Sequence, residues 1–291
     1  MNFWFNIRVE VGKFLANLLS ATIPNKALRR RVRERLHPLN QERCVSYLQK
    51  HYTHTDAIAE ETATGVNKPI WVCWLQGVNQ APALVQRCIQ SIEHFKHPDQ
   101  QVIVITAQNY ADYVTLPDVI VDKWHQGLIT NTHFSDLFRI YALARHGGCW
   151  IDATCLLTSP IPDDIMNRPL FLLRSHGEFA YTCIQSCFIC AERNNYVLRK
   201  WCAAMAEYWS HEDKLIHYFT LHLMFIALLR QDSRFAEEFK KVPEMSDEPM
   251  HLFLNEMMKG NAYSDELMER ARHQAFFQKL TYKTETPWNI P

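Results

Sequence analysis

The sequence lacks an excess of charge of either sign, a hydrophobic run long enough to span a membrane, and an internal repeat. Its 31 basic side chains balance its 31 acidic ones, so the formal net charge is zero and no overall field attracts nucleic acid. The best apolar run, residues 218–229, is short and carries His222, so we expect a buried helix there. Without a repeat or a low-complexity tract, repeat architectures are excluded.

A secretory signal is also lacking, and the nine cysteines, an odd number, lie mostly in apolar segments. This pattern favours a reducing compartment, and hence a cytoplasmic location, over a disulfide scaffold. Hydrophobic residues make up 47% of the 291 positions, which is enough for a sizeable core. The length predicts one large α/β domain with helical additions, or two small domains.

The N-terminus combines apolar and basic residues. Aromatic and aliphatic side chains are frequent in residues 1–19, and a strongly basic cluster follows at residues 26–36. This order is typical of segments that bind an anionic bilayer surface. It fits equally a helix that packs on the domain and keeps a solvated basic face. Peripheral attachment of residues 1–36 to the inner face of the plasma membrane is therefore one of two predictions.

Strands that alternate with helices predict an α/β fold, with a mostly parallel sheet flanked by helices and with helical additions at both ends. Ligands bind such sheets at the carboxyl ends of the strands. The expected parts are an N-terminal helical segment and link (1–66), an α/β core (67–210) and a helical region that completes the cleft (211–291). The expected strands are 70–75, 102–106, 119–123, 149–157, 170–174 and 186–191, with helices at 82–95 and 132–146, a short helix or turn at 109–117, a turn at 161–165 and largely helical structure over 195–272.

Residues 132–154 are the most informative segment. Asn131 or Thr132 is expected to cap a helix, because a short polar side chain there accepts a free backbone N–H. Apolar residues recur through this helix at a spacing that turns them to the core. Gly147 or Gly148 can adopt the left-handed conformation that ends a helix. A β-rich apolar segment follows.

Polar residues interrupt this apolar pattern at a few positions. Asp136 and Arg139 lie three apart, next to Ser135, and share a helical face. Such a pair is usually a surface ion pair. Asp152 is different, because an unpaired carboxylate is costly to bury and needs a cation, several donors or a ligand. In an extended strand, Asp152 and Thr154 point the same way.

Two motifs carry a resemblance to a known family. The pattern S-D-x-x-R at residues 135–139, followed by G-G-x-W-x-D at residues 147–152, resembles the signature of the sugar-transferring Asp-x-Asp glycosyltransferases of the GT-A fold. Within them it is most similar to bacterial capsular polysaccharide synthesis proteins. Residues 69–77 resemble the family's opening strand and nucleotide loop. The resemblance covers about residues 67–160.

The resemblance implies a glycosyltransferase that moves a sugar from a nucleoside-diphosphate sugar to a glycan acceptor of the lipid-linked kind common in capsule synthesis. It also implies retention of anomeric configuration, as in most of the related families. It implies that Asp136 and Arg139 contact the donor sugar and its phosphate, and that Trp74 lines the base pocket, although a core position suits Trp74 equally well. The expected catalytic residues are Asp136, Arg139 and Asp152, and the expected donor-binding residues are Trp74, Gln76, Gly77, Thr106, Ser135 and Thr154.

The resemblance also implies a divalent cation, Mg²⁺ or Mn²⁺, with Asp152 as a ligand. The family usually has a second Asp where this chain has Thr154. A hydroxyl is a poorer ligand for these ions than a carboxylate, so Thr154 argues against metal dependence. The same departure leaves open a catalytically inactive partner that only binds a nucleotide sugar.

Three cysteines provide a rival hypothesis. The spacing of Cys183, Cys187 and Cys190 resembles the motif of radical S-adenosylmethionine enzymes, in which three thiolates bind an iron–sulfur cluster. Only about a hundred residues follow, whereas a barrel needs roughly 200 or more. A strand at 186–191 would also turn Cys187 and Cys190 to opposite faces, and a zinc site with His176 meets the same objection.

The C-terminal part carries weaker signals. His217 and His222 lie five apart, so they cannot easily chelate one metal from one helix, but either could approach an acceptor hydroxyl. Residues 279–283 resemble a terminal segment of the capsular group. In that segment Lys283 could reach the diphosphate, but a solvated lysine is the favoured interpretation.

Overall fold

The structure is a computed structural model that describes residue 11 and residues 23–24, 26–62 and 68–283. The strands are β1 (Pro69–Cys73), β2 (Gln101–Ile105), β3 (Gly148–Ile151), β4 (Cys155–Leu157), β5 (Leu170–Arg174), β6 (Ile184–Ala191) and β7 (Phe277–Lys279). The α-helices are α1 (Lys26–Tyr52), α2 (Ala83–Phe95), α3 (Tyr110–Tyr113), α4 (Asp118–His125), α5 (Asn131–His146), α6 (Asp163–Met166), α7 (Tyr196–His211), α8 (Thr220–Gln231), α9 (Ser233–Lys240), α10 (Leu252–Met258) and α11 (Asp265–Gln274). Short 3₁₀ helices lie at Val78–Gln80, Gly177–Thr182 and Glu248–His251.

The main sheet has five strands in the order β2-β1-β3-β6-β5. Strand β1 pairs in parallel with both β2 and β3, whereas β6 runs antiparallel to its neighbours β3 and β5. Four of the five strands therefore point the same way. This confirms the predicted α/β class with a mostly parallel sheet flanked by helices.

Strand β1 shows why the sheet is covered on both faces. All five of its residues are buried. Trp71 packs into a core cluster with α1, α5, α7 and α8 on one face, while Ile70 and Val72 pack with α2 and Phe277 on the other. A strand buried on both faces has a continuous apolar run instead of an alternating one. The same burial explains the apolar runs of β5 and β6.

Helix α5 begins one residue earlier than the sequence pattern indicated. Its N-cap is Thr130, whose Oγ1 accepts a hydrogen bond from the His133 backbone N–H at 3.2 Å. The prediction of Asn131 or Thr132 as the cap was wrong, because all three are short polar residues and only the backbone decides which one lies outside the helix. Gly147, with φ 69°, ends the helix as predicted.

The segment after α5 is not one continuous strand. Strand β3 ends at Ile151, the Cys155 backbone N–H donates to the Asp152 carbonyl at 2.8 Å, and β4 then joins a second sheet with β7. The prediction of an unbroken strand over 149–157 was wrong, because apolar patterning does not reveal a turn that uses no glycine or proline. The turn leaves Asp152 and Thr154 beyond the edge of the main sheet.

Two other elements also differ from expectation. Residues 119–123 were predicted as a strand, but they lie in helix α4, which begins after Pro117 with an acid at its first position and ends with Lys123 and His125. Those end charges favour a helix. The expected turn at 161–165 includes the start of the one-turn helix α6. The expected short helix or turn at 109–117 contains α3.

Helix α8 confirms the buried helix that was predicted for the apolar run at 218–229. None of the helices among the described residues is long and apolar enough to cross a membrane. The predicted bilayer-binding segment, residues 1–36, lies for the most part outside the described residues. The three-part division at residues 66 and 210 stays a prediction.

Candidate active site

A cavity of about 400 Å³ opens at the carboxyl ends of β1 and β3. This is the edge at which a mostly parallel sheet binds its ligands. Seven of the nine predicted site residues line it: Trp74, Gln76, Ser135, Asp136, Arg139, Asp152 and Thr154. These residues belong to the segments 74–76, 135–139 and 152–154. The segment 69–77 and the motif at residues 135–152 therefore meet in space at this cavity.

The other two predicted residues lie outside this lining within the described chain. The Gly77 backbone N–H donates to the Trp74 carbonyl at 2.9 Å, so Gly77 closes the turn that presents Trp74 and Gln76 to the cavity. The Thr106 backbone N–H donates to Asn109 Oδ1 at 2.7 Å and starts the loop after β2. Both residues shape the loops near the site.

Arg139 joins the two acidic residues of the site. Its Nη2 lies 3.0 Å from Asp152 Oδ1 and 3.1 Å from Asp136 Oδ1, and its Nη1 donates to the Ser186 carbonyl at 2.6 Å. The guanidinium carbon lies 4.7 Å from the centre of the Trp150 ring, and the side chain is only 5% exposed. The Asp136–Arg139 pair is therefore not an ordinary surface ion pair. Through its contact with Asp152, Arg139 holds that carboxylate in place.

Asp152 accepts hydrogen bonds on both carboxylate oxygens. Oδ1 accepts from Arg139 and, at 2.9 Å, from Trp150 Nε1, while Oδ2 accepts from Lys279 Nζ at 2.7 Å. Burial alone would raise the pKa of Asp152, but the charges of Lys279 and Arg139 outweigh it and hold that pKa well below its ordinary value. Asp152 is therefore ionised at neutral pH, with the cations that a partly buried carboxylate requires.

Lys279, the last residue of β7, is the site residue that sequence reasoning missed. Its Nζ donates to Asp152 Oδ2 and, at 2.8 Å, to Thr154 Oγ1. Burial would lower the pKa of Lys279, but Asp152 raises it above the ordinary lysine value, so the ammonium stays charged. The resemblance at residues 279–283 indicated Lys283 as a candidate diphosphate contact, with a solvated lysine as the favoured alternative; Lys283 is exposed and lies outside the cavity lining.

Asp136 is held by a second chain of contacts. The Trp209 indole N–H donates to His133 Nε2 at 3.1 Å, which leaves the other nitrogen of a neutral His133 to carry the proton. That nitrogen, Nδ1, faces Asp136 Oδ2 at 3.7 Å. Burial raises the pKa of Asp136, but the Arg139 charge and His133 overcome this effect and lower it overall. Asp136 is thus a second ionised carboxylate in the cavity.

His222 is the one of the two C-terminal histidines that reaches the cavity. Burial lowers its pKa to about 4, against the opposing charge of Asp136, so the imidazole is neutral at pH 7. His217 instead accepts a hydrogen bond on Nδ1 from the Phe219 backbone N–H at 3.0 Å. A neutral imidazole in the cavity is a possible proton acceptor.

Trp74 forms an aromatic wall with Tyr282. The two rings meet edge to face with centroids 5.3 Å apart, and both side chains line the cavity. The buried Trp74 Nε1 has no hydrogen-bond partner within the described chain. A flat ring on the cavity wall suits a planar ligand such as a base.

The three cysteines of the rival motif are engaged separately. Cys190 forms a disulfide with Cys149, Cys187 lies beside Cys155, and Cys183 is hydrogen-bonded by Arg174. The argument that Cys187 and Cys190 face opposite sides was wrong, because a register shift in the β5–β6 pairing puts both in one buried cluster. Cys190 is nevertheless not a free thiolate, which removes the three-thiolate set. The disulfide also departs from the expectation of reduced cysteines.

A model of the family described as "Capsular polysaccharide synthesis protein" matches residues 21–289. The chain belongs to this family. It is 26% identical to O-glycosyltransferase braB from Annulohypoxylon truncatum over 193 residues, which are 60% of this chain and 43% of that protein. It is 23% identical to O-glycosyltransferase PaGT from Phomopsis amygdali over 196 residues, which are 61% of this chain and 45% of that protein. The chain therefore spans less than half the length of these relatives.

Among solved structures, PaToxG Glycosyltransferase superposes with a TM-score of 0.42 at 12% sequence identity and covers 85% of this chain and 99% of that one. At this TM-score the superposition is loose.

A divalent cation, which the family resemblance implies, does not fit these residues. Both oxygens of Asp152 accept from cationic or N–H donors, and the Thr154 hydroxyl accepts from Lys279. In the part of the chain that the structure describes, no group of three or more His, Cys, Asp or Glu side chains is placed to hold a metal ion. Magnesium and manganese sites in proteins are built mainly from carboxylate, carbonyl and water oxygens.

Proposed function

We propose that this chain is a glycosyltransferase that moves a sugar from a nucleoside-diphosphate sugar to a hydroxyl of a glycan acceptor in bacterial surface polysaccharide synthesis. The observation that carries the proposal is the pair of ionised carboxylates, Asp136 and Asp152, joined by Arg139 inside a cavity of about 400 Å³ at the carboxyl edge of the sheet. Membership of the capsular polysaccharide synthesis family and the O-glycosyltransferase names of the two relatives support it.

The chemistry of transfer suits these groups. A departing diphosphate gains negative charge as the bond to the sugar breaks, and fixed cations stabilise that charge most strongly in a partly dry site. Arg139 and Lys279 supply two such cations. Carboxylate oxygens of Asp136 and Asp152 can accept hydrogen bonds from sugar hydroxyls. The wall formed by Trp74 and Tyr282 can pack against the base.

Retention of anomeric configuration is the stereochemistry we propose. Both carboxylates are tied to cations, which makes them weak bases and weak nucleophiles. An inverting reaction would need a general base, and the neutral His222 is the residue that favours this second possibility. The anomeric configuration of the product, measured by NMR on the first turnover products, distinguishes the two, since inversion would assign the base role to His222.

The test of activity is a panel of nucleotide sugars, each incubated with the chain and with candidate acceptors, while release of the nucleoside diphosphate is measured. We expect release from one donor class, and loss of that release in Arg139→Lys, because a lysine cannot make the forked contacts of the guanidinium. Binding of a nucleotide sugar without any release would contradict the enzyme proposal. It would favour the inactive binding partner that Thr154 left open.

We also propose, from the sequence alone, that the acceptor is lipid-linked and that residues 1–36 attach the chain to the cytoplasmic membrane surface. An apolar segment followed by basic residues supports this. The test is co-sedimentation of the full chain, and of a chain lacking residues 1–36, with vesicles of phosphatidylglycerol and phosphatidylethanolamine. Equal sedimentation of both chains would refute it.

A further inference from the structure

We propose that the ammonium group of Lys279 takes the position of the metal ion in an Asp-x-Asp site, binds the diphosphate of the donor, and makes sugar transfer by this chain independent of divalent cations. The part of this inference that concerns sugar transfer rests on the proposed function. The part that concerns diphosphate binding can be measured whether or not the chain turns a donor over.

The first argument is the position of the lysine. In the family pattern the two acids of the Asp-x-Asp motif correspond to Asp152 and Thr154. Lys279 Nζ lies 2.7 Å from Asp152 Oδ2 and 2.8 Å from Thr154 Oγ1, between the two side chains that would share a metal ion. An ammonium group has three N–H donors. These two contacts use two of them, and the third remains for a phosphate oxygen.

The second argument is the balance of charge. Compared with an Asp-x-Asp pair that has no lysine beside it, Thr154 carries one negative charge less and Lys279 adds one positive charge. The site is then two charges more positive than such a pair, which equals the charge of a divalent cation. A metal ion added at Asp152 would meet the charges of both Lys279 and Arg139 at short range, and like charges at that distance repel strongly.

The third argument is that the backbone fixes the lysine in place. Lys279 pairs with Cys155 in the β4–β7 ladder, and the Leu280 backbone N–H donates to the Thr154 carbonyl at 2.8 Å. Gln278, which precedes Lys279 in β7, and Leu280, which follows it, are both buried. A cation held in this way is already oriented before the diphosphate arrives, which is the condition under which electrostatic stabilisation is most effective.

The binding experiment uses the full chain after exhaustive treatment with EDTA. Inorganic pyrophosphate, UDP, GDP, CDP, ADP and dTDP are titrated by calorimetry, with and without added Mn²⁺. We expect at least one nucleoside diphosphate to bind without metal, with an affinity that Mn²⁺ changes by less than about threefold. Binding that requires Mn²⁺, or retention of Mn²⁺ by the chain in electron paramagnetic resonance spectra, would overturn the inference.

The variant experiment compares Lys279→Met with Lys283→Met, a matched control at an exposed lysine four residues further on. We expect Lys279→Met to weaken diphosphate binding by tenfold or more and Lys283→Met to leave it within twofold. Unchanged binding by a folded Lys279→Met would also overturn the inference. If that variant fails to fold, the metal-free titration of the unaltered chain decides.

The activity experiment separates this inference from the proposed function. With a donor that the chain turns over, we expect EDTA to change the rate of diphosphate release by less than twofold. Loss of release in EDTA and its recovery with Mn²⁺ would refute the lysine inference and leave the glycosyltransferase proposal intact. If no donor is turned over, the glycosyltransferase proposal fails and the titrations alone decide the role of Lys279.

Discussion

Asp152 is held by side chains from three different elements of the fold. Arg139 comes from α5, Trp150 from β3 and Lys279 from β7. A buried carboxylate is tolerated only when donors and opposite charges compensate its lost hydration. Here the compensation is arranged so that one edge of the carboxylate still lines the cavity. The sequence indicated that Asp152 needs a cation, several donors or a ligand, and the structure provides two cations and an indole N–H.

Asp152→Asn is expected to lower the rate of diphosphate release by roughly tenfold or more, because the neutral amide no longer fixes Arg139 and Lys279 for the departing diphosphate. Release from the active donor is measured at saturating concentration. The control is Asp112→Asn, at an exposed aspartate of α3, which should keep the rate of the unaltered chain. A rate for Asp152→Asn equal to that of the control would remove Asp152 from the reaction.

His222 predicts a particular dependence of stability on pH. Its pKa is lowered by burial from 6.5 to about 4, so the unfolded chain binds a proton that the folded chain resists. The free energy of unfolding is therefore unaffected by this residue above about pH 6.5 and falls as the pH drops from there towards 4.

His222→Gln should therefore lose less stability between pH 6.5 and 4.5 than the unaltered chain, by on the order of 2 kcal/mol. Urea unfolding at several pH values gives the difference. His211→Gln, at an exposed histidine, serves as the control and should follow the unaltered chain. Parallel pH profiles for His222→Gln and the unaltered chain would show that His222 titrates normally.

The elements that the sequence predicted correctly have strong local signals. Strands β1, β2, β5 and β6 are apolar runs, and α2 has an amphipathic pattern that begins at Pro82. Local patterning failed for α4 and for the break between β3 and β4. The short apolar segment of α4 is compatible with a helix and with a strand, and only tertiary packing decides between them. The turn between β3 and β4 contains no glycine or proline that would mark it in the sequence.

Most of the site followed from the same local patterns. Asp136, Arg139 and Asp152 lie within or directly after one helix–strand unit, so their spacing along the chain predicts their meeting. The contact of Lys279 depends on the pairing of β4 with β7, strands separated by more than a hundred residues. A pairing of that kind leaves no local pattern. For this reason the sequence did not indicate Lys279 as a site residue.

The two glycines that follow α5, Gly147 and Gly148, are expected to be sensitive to substitution. An alanine Cβ at Gly148, where φ is 90°, would lie 2.2 Å from the Pro69 carbonyl oxygen of β1. Gly148→Ala should therefore lower the free energy of unfolding by roughly 3 kcal/mol or more, because strain and a backbone clash add together.

Gly127→Ala is the matched control for this prediction. Gly127 also has a positive φ, 76°, but a Cβ there has no neighbour within 4 Å. Its cost should be about 1 kcal/mol, the cost of backbone strain alone. Both costs are measured by urea unfolding. Similar values for the two variants would show that β1 moves to accommodate the alanine.

On the scale of the whole molecule, the second sheet connects the C-terminal helices to the site. Gln278 of β7 is fully buried, its Oε1 accepts from the Phe253 backbone N–H at 3.1 Å, and its Nε2 donates to the Pro249 carbonyl at 3.1 Å. These bonds hold β7, and with it Lys279, against α10 and the 3₁₀ turn before it. Contacts far from the cavity therefore determine where its second cation lies.

Gln278→Leu should lower the free energy of unfolding by about 1–3 kcal/mol, because leucine removes both hydrogen bonds from a buried position. It should also weaken diphosphate binding severalfold, since the backbone next to Lys279 loses its support. Gln274→Leu, at an exposed position of α11, is the control and should change neither quantity. Reduced stability with unchanged binding would show that β4 alone is sufficient to hold Lys279.

The separation of 127 positions between Asp152 and Lys279 also matters during synthesis of the protein. Ribosomes deliver a chain from its N-terminus at about 5–20 residues per second, so the acid emerges on the order of ten seconds before its ammonium partner. During that interval α5 and β3 can assemble with Arg139 alone opposite the carboxylate. A translation product that stops short of β7 would thus hold the pocket's acids and only one of the two cations, however well the rest of it folds.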